Sequence, residues 1–173
     1  MIWRKTAQDD VSKGLKALYP RLWRYCLVLT GNRDRADDLA QATCLRAIEK
    51  SDQFKPGSAL DRWTFRIAQR IWLNELRAAS VRQGGGIAPI EEIDLPDPGA
   101  SPETNILTRE VLLEVLALPE AQRATVVLVY VEGYSYKEAA EILDIPTGTI
   151  MSRLAAARSK LVKRFEPRKS GAG

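Results

Sequence analysis

No histidine occurs anywhere in the chain. That removes the commonest general base and the commonest metal ligand among the side chains. Cysteine is scarce as well. Cys26 and Cys44 both fall at apolar helical positions, which fits two small buried hydrophobes better than a disulfide or a metal pair. No apolar run approaches the roughly 20 residues that a membrane helix needs. The opening MIWRKTAQDD lacks the apolar centre of a signal peptide, so a cytoplasmic location is expected. The expectation is a protein that is not an enzyme, with no cofactor, no metal, no small-molecule substrate and no membrane insertion.

What is present is ordinary for a folded protein: 45% hydrophobic and 28% charged residues over 173 positions. A net charge of +4 and a pI near 9.2 point weakly to a polyanionic partner. The apolar spacing is helical almost throughout. It predicts an all-α chain of two small helical domains joined by a flexible linker, the C-terminal one a helix-turn-helix.

The clearest pattern lies between Leu118 and Phe165. One helix is expected from Pro119 to about Val131, stopped by Glu132-Gly133. Ser135, with Glu138 three positions on, has capping-box spacing for a short helix carrying Ala139, Ala140, Ile142 and Leu143. Asp144-Ile145-Pro146 ends it, and Thr147 is placed to cap a long last helix. There Ile150, Leu154, Ala157, Leu161 and Phe165 form the expected buried stripe. Met151, Ser152, Ala155, Ala156, Ser159 and Lys163 lie opposite, flanked by Arg153, Arg158, Lys160 and Arg164. Two helices on a tight turn, the second basic on one side, describe a helix-turn-helix fit for a DNA major groove. An ordinary hairpin with a solvated basic face has the same pattern.

Toward the N-terminus a helix is expected from about Asp9 to Thr30, interrupted or restarted at Pro20, with Leu15, Leu18, Leu22, Tyr25 and Leu29 inside. Asn32 or Asp34 starts a second, to about Lys50, burying Ala36, Leu39, Ala40, Cys44, Ala47 and Ile48. Asp38, Gln41 and Leu45 share a neighbouring face. After the Pro56-Gly57 loop a third helix runs to about Val81, with Arg62, Arg66, Arg70 and Arg77 as a basic ridge beside Trp63 and Trp72. Arginines beside aromatics suit single-stranded nucleic acid; tryptophans in a core beside solvated arginines, or arginines paired with acids on the second helix, fit the same spacing.

The motifs GYSYKEAAEIL, IPTGTIMSRL and AARSKL resemble the promoter-reading fourth region of extracytoplasmic-function (ECF) sigma factors over nearly fifty consecutive residues. DDLAQATCLRAIEKSDQF and DRWTFRIAQRIWLNELR resemble the second region of the same family. The resemblance implies a promoter-specificity subunit of bacterial RNA polymerase, with core polymerase, promoter DNA and an anti-sigma factor as partners. Carried over position by position, it gives Asp38, Gln41 and Leu45 to the polymerase. It gives Phe54, Lys55, Ser58, Trp63, Arg66 and Arg70 to the melted minus-ten strand. Tyr136, Thr147, Thr149, Met151, Ser152, Arg153, Ala156, Arg158 and Lys160 fall to the minus-thirty-five duplex. Three positions depart from the family pattern: Ala42 in place of an acid, Arg70 in place of an asparagine, and Ala156 in place of a frequent arginine. Arginine can donate to a flipped base but not accept.

Between the two regions the Gly- and Pro-rich, acidic QGGGIAPIEEIDLPDPGASPETN reads as linker. The expected division is region 2 over 1–82, linker over 83–107, region 4 over 108–166, whose first helix covers Ile106 to Leu116 with Leu107, Val111, Leu112 and Val115 inside, and a disordered tail over 167–173. A linker of about 25 residues averages roughly 25–30 Å and reaches around 80 Å when extended. It can span promoter contacts about 50 Å apart only when stretched, so the free domains are expected to be mobile or folded against each other. The alternatives to a working sigma factor are a mimic that sequesters an anti-sigma factor and a stand-alone helix-turn-helix regulator that binds an operator as a dimer.

Overall fold

The computed structural model describes the backbone of residues 2–83 and 102–165, and the side chains of residues 6–82 and 109–165. The glycine-rich centre of the expected linker and the expected tail lie outside the described residues. Among the described residues there is no strand.

The first body is three helices. Helix α1 spans Ile2–Thr30 without a break, with Pro20 inside it. The expected interruption does not occur. Pro20 and Lys16, whose carbonyl loses its N–H partner, are both exposed, so the orphaned oxygen lies on the wet side. Gly31, at φ 67, stops the helix, and its N–H donates to the Leu27 carbonyl at 2.8 Å. Asn32 then caps α2, Arg33–Glu49, its side-chain oxygen accepting from the Arg35 N–H at 2.9 Å. A 3-10 turn over Ser51–Gln53 and the loop around Gly57 lead into α3, Leu60–Gln83.

These helices close on a core of Leu22, Tyr25, Leu29, Ala36, Leu39, Ala40, Phe65, Ala68 and Trp72. The Tyr25 ring meets Phe65 edge-on at 4.9 Å, and its hydroxyl donates to Gln69 Oε1 at 2.8 Å, so the buried phenol keeps a partner. Thr43, which the apolar stripe of α2 skipped, is buried too; its hydroxyl donates to the Leu39 carbonyl at 2.7 Å. Cys26 is buried and Cys44 half-buried, both as free thiols, and burial pushes both thiol pKa values up.

The second body holds four helices. Helix α4, Pro102–Leu116, begins four residues before the expected Ile106, with proline at its first position, where a missing N–H costs least. Val115 and Leu116 are buried, but Val111, expected inside, is 44% exposed; Leu107 has no described side chain. Helix α5, Glu120–Val126, passes into a π-turn over Val127–Val131. The Glu132 N–H reaches back five residues to the Val127 carbonyl at 2.9 Å, and Tyr134 reaches back six to Leu128 at 3.0 Å across Gly133 at φ 76. This wide closing turn aims Tyr134 back toward the first body.

Ser135 caps α6, Tyr136–Leu143, with both hydrogen bonds of the capping box in place. Asp144, in the left-handed region at φ 55, ends it. Helix α7 is Thr147–Phe165. Thr147 is its first residue rather than its cap, since the Pro146 carbonyl accepts from Thr149 and Ile150. Ile150, Leu154 and Ala157 are buried as expected and Leu161 half-buried, but Phe165 is 51% exposed because the helix outruns the body beneath it.

The two bodies are folded against each other and share one continuous apolar cluster. Tyr134 sets its ring edge-on to Phe65 at 6.0 Å. Arg123, buried, donates to the carbonyls of Leu116 at 3.1 Å and Leu29 at 3.4 Å, one in each body.

Candidate polymerase and nucleic-acid interfaces

Helix α2 presents Asp38, Gln41 and Leu45 on one open face, a spacing of three and four that stacks them along the helix. Leu45 is 60% exposed, an apolar knob between polar neighbours.

The second surface is the loop before α3 and that helix's first turns. Phe54 lies against Trp63, ring centroids 5.2 Å apart and tilted by 44°. Both are half-buried on a small cluster of Val11, Leu15, Ala47 and Ile67, so the pair is a firm apolar shelf with an accessible edge. Lys55 and Ser58 are exposed beside it; the Ser58 hydroxyl donates to the Lys55 carbonyl at 2.6 Å, which holds the loop tight. Trp72, by contrast, is core, with the Arg35 guanidinium 4.8 Å from its ring centre.

The arginine ridge divides in two. Arg70 and Arg77 are exposed, whereas Arg62 and Arg66 are half-covered by α6. Arg62 lies 3.6 Å from Glu138 and 3.7 Å from Glu141, and Arg66 lies 3.8 Å from Asp144. Beside them, Arg21 pairs with Glu132 at 2.7 Å and with Asp61 at 3.6 Å, and donates to the Tyr134 hydroxyl at 3.1 Å; that hydroxyl donates to Asp61 at 2.6 Å. Burial pushes the Asp61 carboxyl up, but the Tyr134 hydroxyl, the Arg62 N–H and the neighbouring arginines outweigh it and hold its pKa below the usual value. Burial and the bond to Asp61 push the Tyr134 phenol up.

The third surface is α7. Met151, Ser152, Ala155, Arg158, Ser159 and Val162 recur at helical spacing and are all exposed, a free strip as long as the helix. Thr147, Lys160 and, on α6, Tyr136 are open as well; Thr149 and Ala156 are half-buried at the strip's edge. Arg153 turns inward instead. It is half-buried and within the electrostatic reach of Glu120, whose carboxyl burial pushes up against the pull of Arg123 and Arg153.

The sequence brought the three surfaces into view but missed the network that joins the bodies. Arg21, Asp61, Arg62, Glu132 and Tyr134 sit at its centre. The one sequence signal was an aromatic residue directly after the helix-stopping Gly133.

The Sigma-70 region 2 family model matches residues 15–82, and that of Sigma-70, region 4 matches residues 108–161. The ECF RNA polymerase sigma factor EcfG of Rhodopseudomonas palustris (strain TIE-1) is 35% identical over 153 residues, spanning 88% of this chain and 83% of that protein. The chain belongs to the ECF sigma factors. SigW of Bacillus subtilis (strain 168), another member, is 28% identical over 94% of this chain and 92% of its own. Among solved structures, the sigma factor RpoE of Bartonella quintana, in complex with the anti-sigma factor NepR, superposes with a TM-score of 0.78 at 26% identity, covering 91% of this chain and 99% of that one. As an ECF sigma factor the chain is a transcription initiation factor and not an enzyme. It binds core RNA polymerase and recognises promoter DNA. Among the described residues no helix is long and apolar enough to cross a membrane.

Proposed function

We propose that this ECF sigma factor divides promoter recognition between the two surfaces on α3 and α7 while Asp38, Gln41 and Leu45 on α2 dock on polymerase. The open strip on α7 carries the proposal: a basic helix with one unobstructed face sized for a major groove. Arg158 and Lys160 fix that helix on phosphates, which sets register without reading sequence. With Ala156 where a guanine-reading arginine could stand, readout falls to Met151, Ser152 and Ala155 through thymine methyls and shape.

On the first body, Phe54 and Trp63 offer an aromatic shelf to unstacked bases, with Lys55, Arg66 and Arg70 for the strand's phosphates. Stacking returns about 1–3 kcal/mol per base, against a cost of a few kcal/mol to extrude one. Capture of the melted strand therefore needs several such contacts at once. Residues 1–82 act as region 2 and residues 108–166 as region 4, tied by the acidic segment between them. The chain works in the cytoplasm under an anti-sigma factor, a reading supported by the RpoE complex named above.

Run-off transcription with reconstituted holoenzyme on a random promoter pool is the test. A defined set of start sites is expected. Binding to core without directed starts would overturn the division of labour and favour a sequestering mimic.

A further inference from the structure

The ion pairs between the bodies segregate charge by side. Their cations, Arg21, Arg62 and Arg66, belong to the first body, and the carboxylates facing them, Glu132, Glu138, Glu141 and Asp144, belong to the second. A row of carboxylates along α6 thus meets the same arginine ridge that would meet a row of phosphates. The α6 pairs are loose: 3.6, 3.7 and 3.8 Å, against about 2.7–2.9 Å for a charge-assisted hydrogen bond. Arg66 Nε is moreover buried with no hydrogen-bond partner in the protein. Arg21 with Glu132, at 2.7 Å, is the tighter anchor.

The closed arrangement is also incompatible with promoter binding at both ends. It holds α6 within ion-pair distance of α3, while duplex contacts one and a half turns apart are separated by about 50 Å. The chain must open before it can grip both elements.

We infer that Glu138, Glu141 and Asp144 stand in for strand phosphates within the molecule, latching region 4 over Arg62 and Arg66 until single-stranded DNA displaces them. The inference rests on the strand-facing role proposed above for Arg66. It makes salt act in two opposite ways. Screening shortens from about 30 Å at 0.01 M to about 3 Å at 1 M, which releases the latch while weakening DNA binding.

Small-angle scattering of the full chain tests the latch itself. Wild type should be compact at 0.01 M salt and expand at 1 M. Arg62→Glu should expand at low salt, and Arg62→Glu combined with Glu141→Arg should be compact again, which a merely unfolded variant cannot do. Glu141→Gln with Asp144→Asn removes two carboxylates while sparing the Ser135–Glu138 cap, and Asn tolerates the left-handed backbone at 144. That double variant should bind a short mixed-sequence single-stranded oligonucleotide about two- to tenfold tighter than wild type, since exposed pairs are individually weak. Unchanged dimensions across these variants and salts would overturn the latch. So would expansion without any gain in oligonucleotide affinity. Failure of the underlying site assignment looks different: Arg66→Ala would then leave run-off transcription intact, whatever the scattering shows.

Discussion

The surface on α3 proposed for the melted strand and the surface on α7 proposed for duplex differ in what covers them. On α7, Met151 is 55% exposed and the whole strip beyond it is free to Val162. On α3, half of the arginine ridge lies under α6 and is neutralised by its acids. The same helix-turn-helix therefore leaves one face open and covers part of α3 with the other. On the proposed reading, a groove can be met at once in the closed chain, whereas strand capture waits for the bodies to part. That ordering suits the chemistry: duplex is available before melting, and unstacked bases are not.

The largest expected effect comes from cutting the core beneath the open strip. Leu154 is fully buried, so Leu154→Ala should cost about 2–5 kcal/mol. All four tryptophans, Trp3, Trp23, Trp63 and Trp72, lie in the first body, with Trp72 at its border with Glu120 of the second, so their fluorescence follows that body and its contact with the other. Because one apolar cluster runs through both bodies, the tryptophan transition in urea should shift along with the circular-dichroism transition at low salt. The tryptophan shift should shrink at high salt. A tryptophan transition unmoved at every salt would show that the lid and the ridge touch without stabilising each other.

A middle-sized effect probes the hinge of the lid. Tyr134→Phe keeps the ring against Phe65 but deletes the donor to Asp61 and the acceptor for Arg21. A loss of about 1–2 kcal/mol in chemical denaturation at pH 7 is expected. Its pH dependence has a definite sign. The Asp61 pKa is held below its ordinary 3.8, so its contribution is complete above that value and fades as pH falls through the folded-state pKa. Without the Tyr134 hydroxyl the depression is smaller. The gap between wild type and variant should therefore close below about pH 4. A gap that is constant with pH would mean that the bond from Arg21, and not the bond to Asp61, carries the effect.

The elements with local punctuation were legible in the sequence. The Asn32 cap, the Ser135–Glu138 box, the Gly31 stop and the buried stripe Ile150–Leu154–Ala157 follow from neighbours within a turn or two. Pro20 misled because a proline's cost depends on which side of the helix its orphaned carbonyl faces. Phe165 misled because periodicity places a residue on a face without saying how far the partner beneath it extends. The arginine ridge was visible as spacing, and pairing with acids on the second helix was one way to account for it; Arg62 and Arg66 pair instead with acids of α6 and its cap. That the acids come from α6, more than seventy residues away, depends on how two bodies dock, and no local pattern carries that. Among the functional surfaces, the strip on α7 emerged from periodicity alone, whereas the inward turn of Arg153 needed Glu120 in place beside it.

The smallest expected effect concerns reading rather than holding. Arg158 and Ser152 share the open strip of α7, and the reading proposed above gives phosphate to the guanidinium and a base edge to the hydroxyl, although either group can bind either. Arg158→Ala should weaken binding to every promoter in a panel and lower the slope of log affinity against log salt by about one. Arg158 is the cleaner choice than Arg153, whose removal would also free Glu120. Ser152→Ala should leave the salt slope alone and reorder preferences among promoters by under about 1 kcal/mol. The shift is small because the hydroxyl already donates to the Thr149 carbonyl at 3.1 Å and must give up that bond to make another. A uniform loss across the panel for Ser152→Ala would place it with the holding residues and leave Met151 and Ala155 to read the groove.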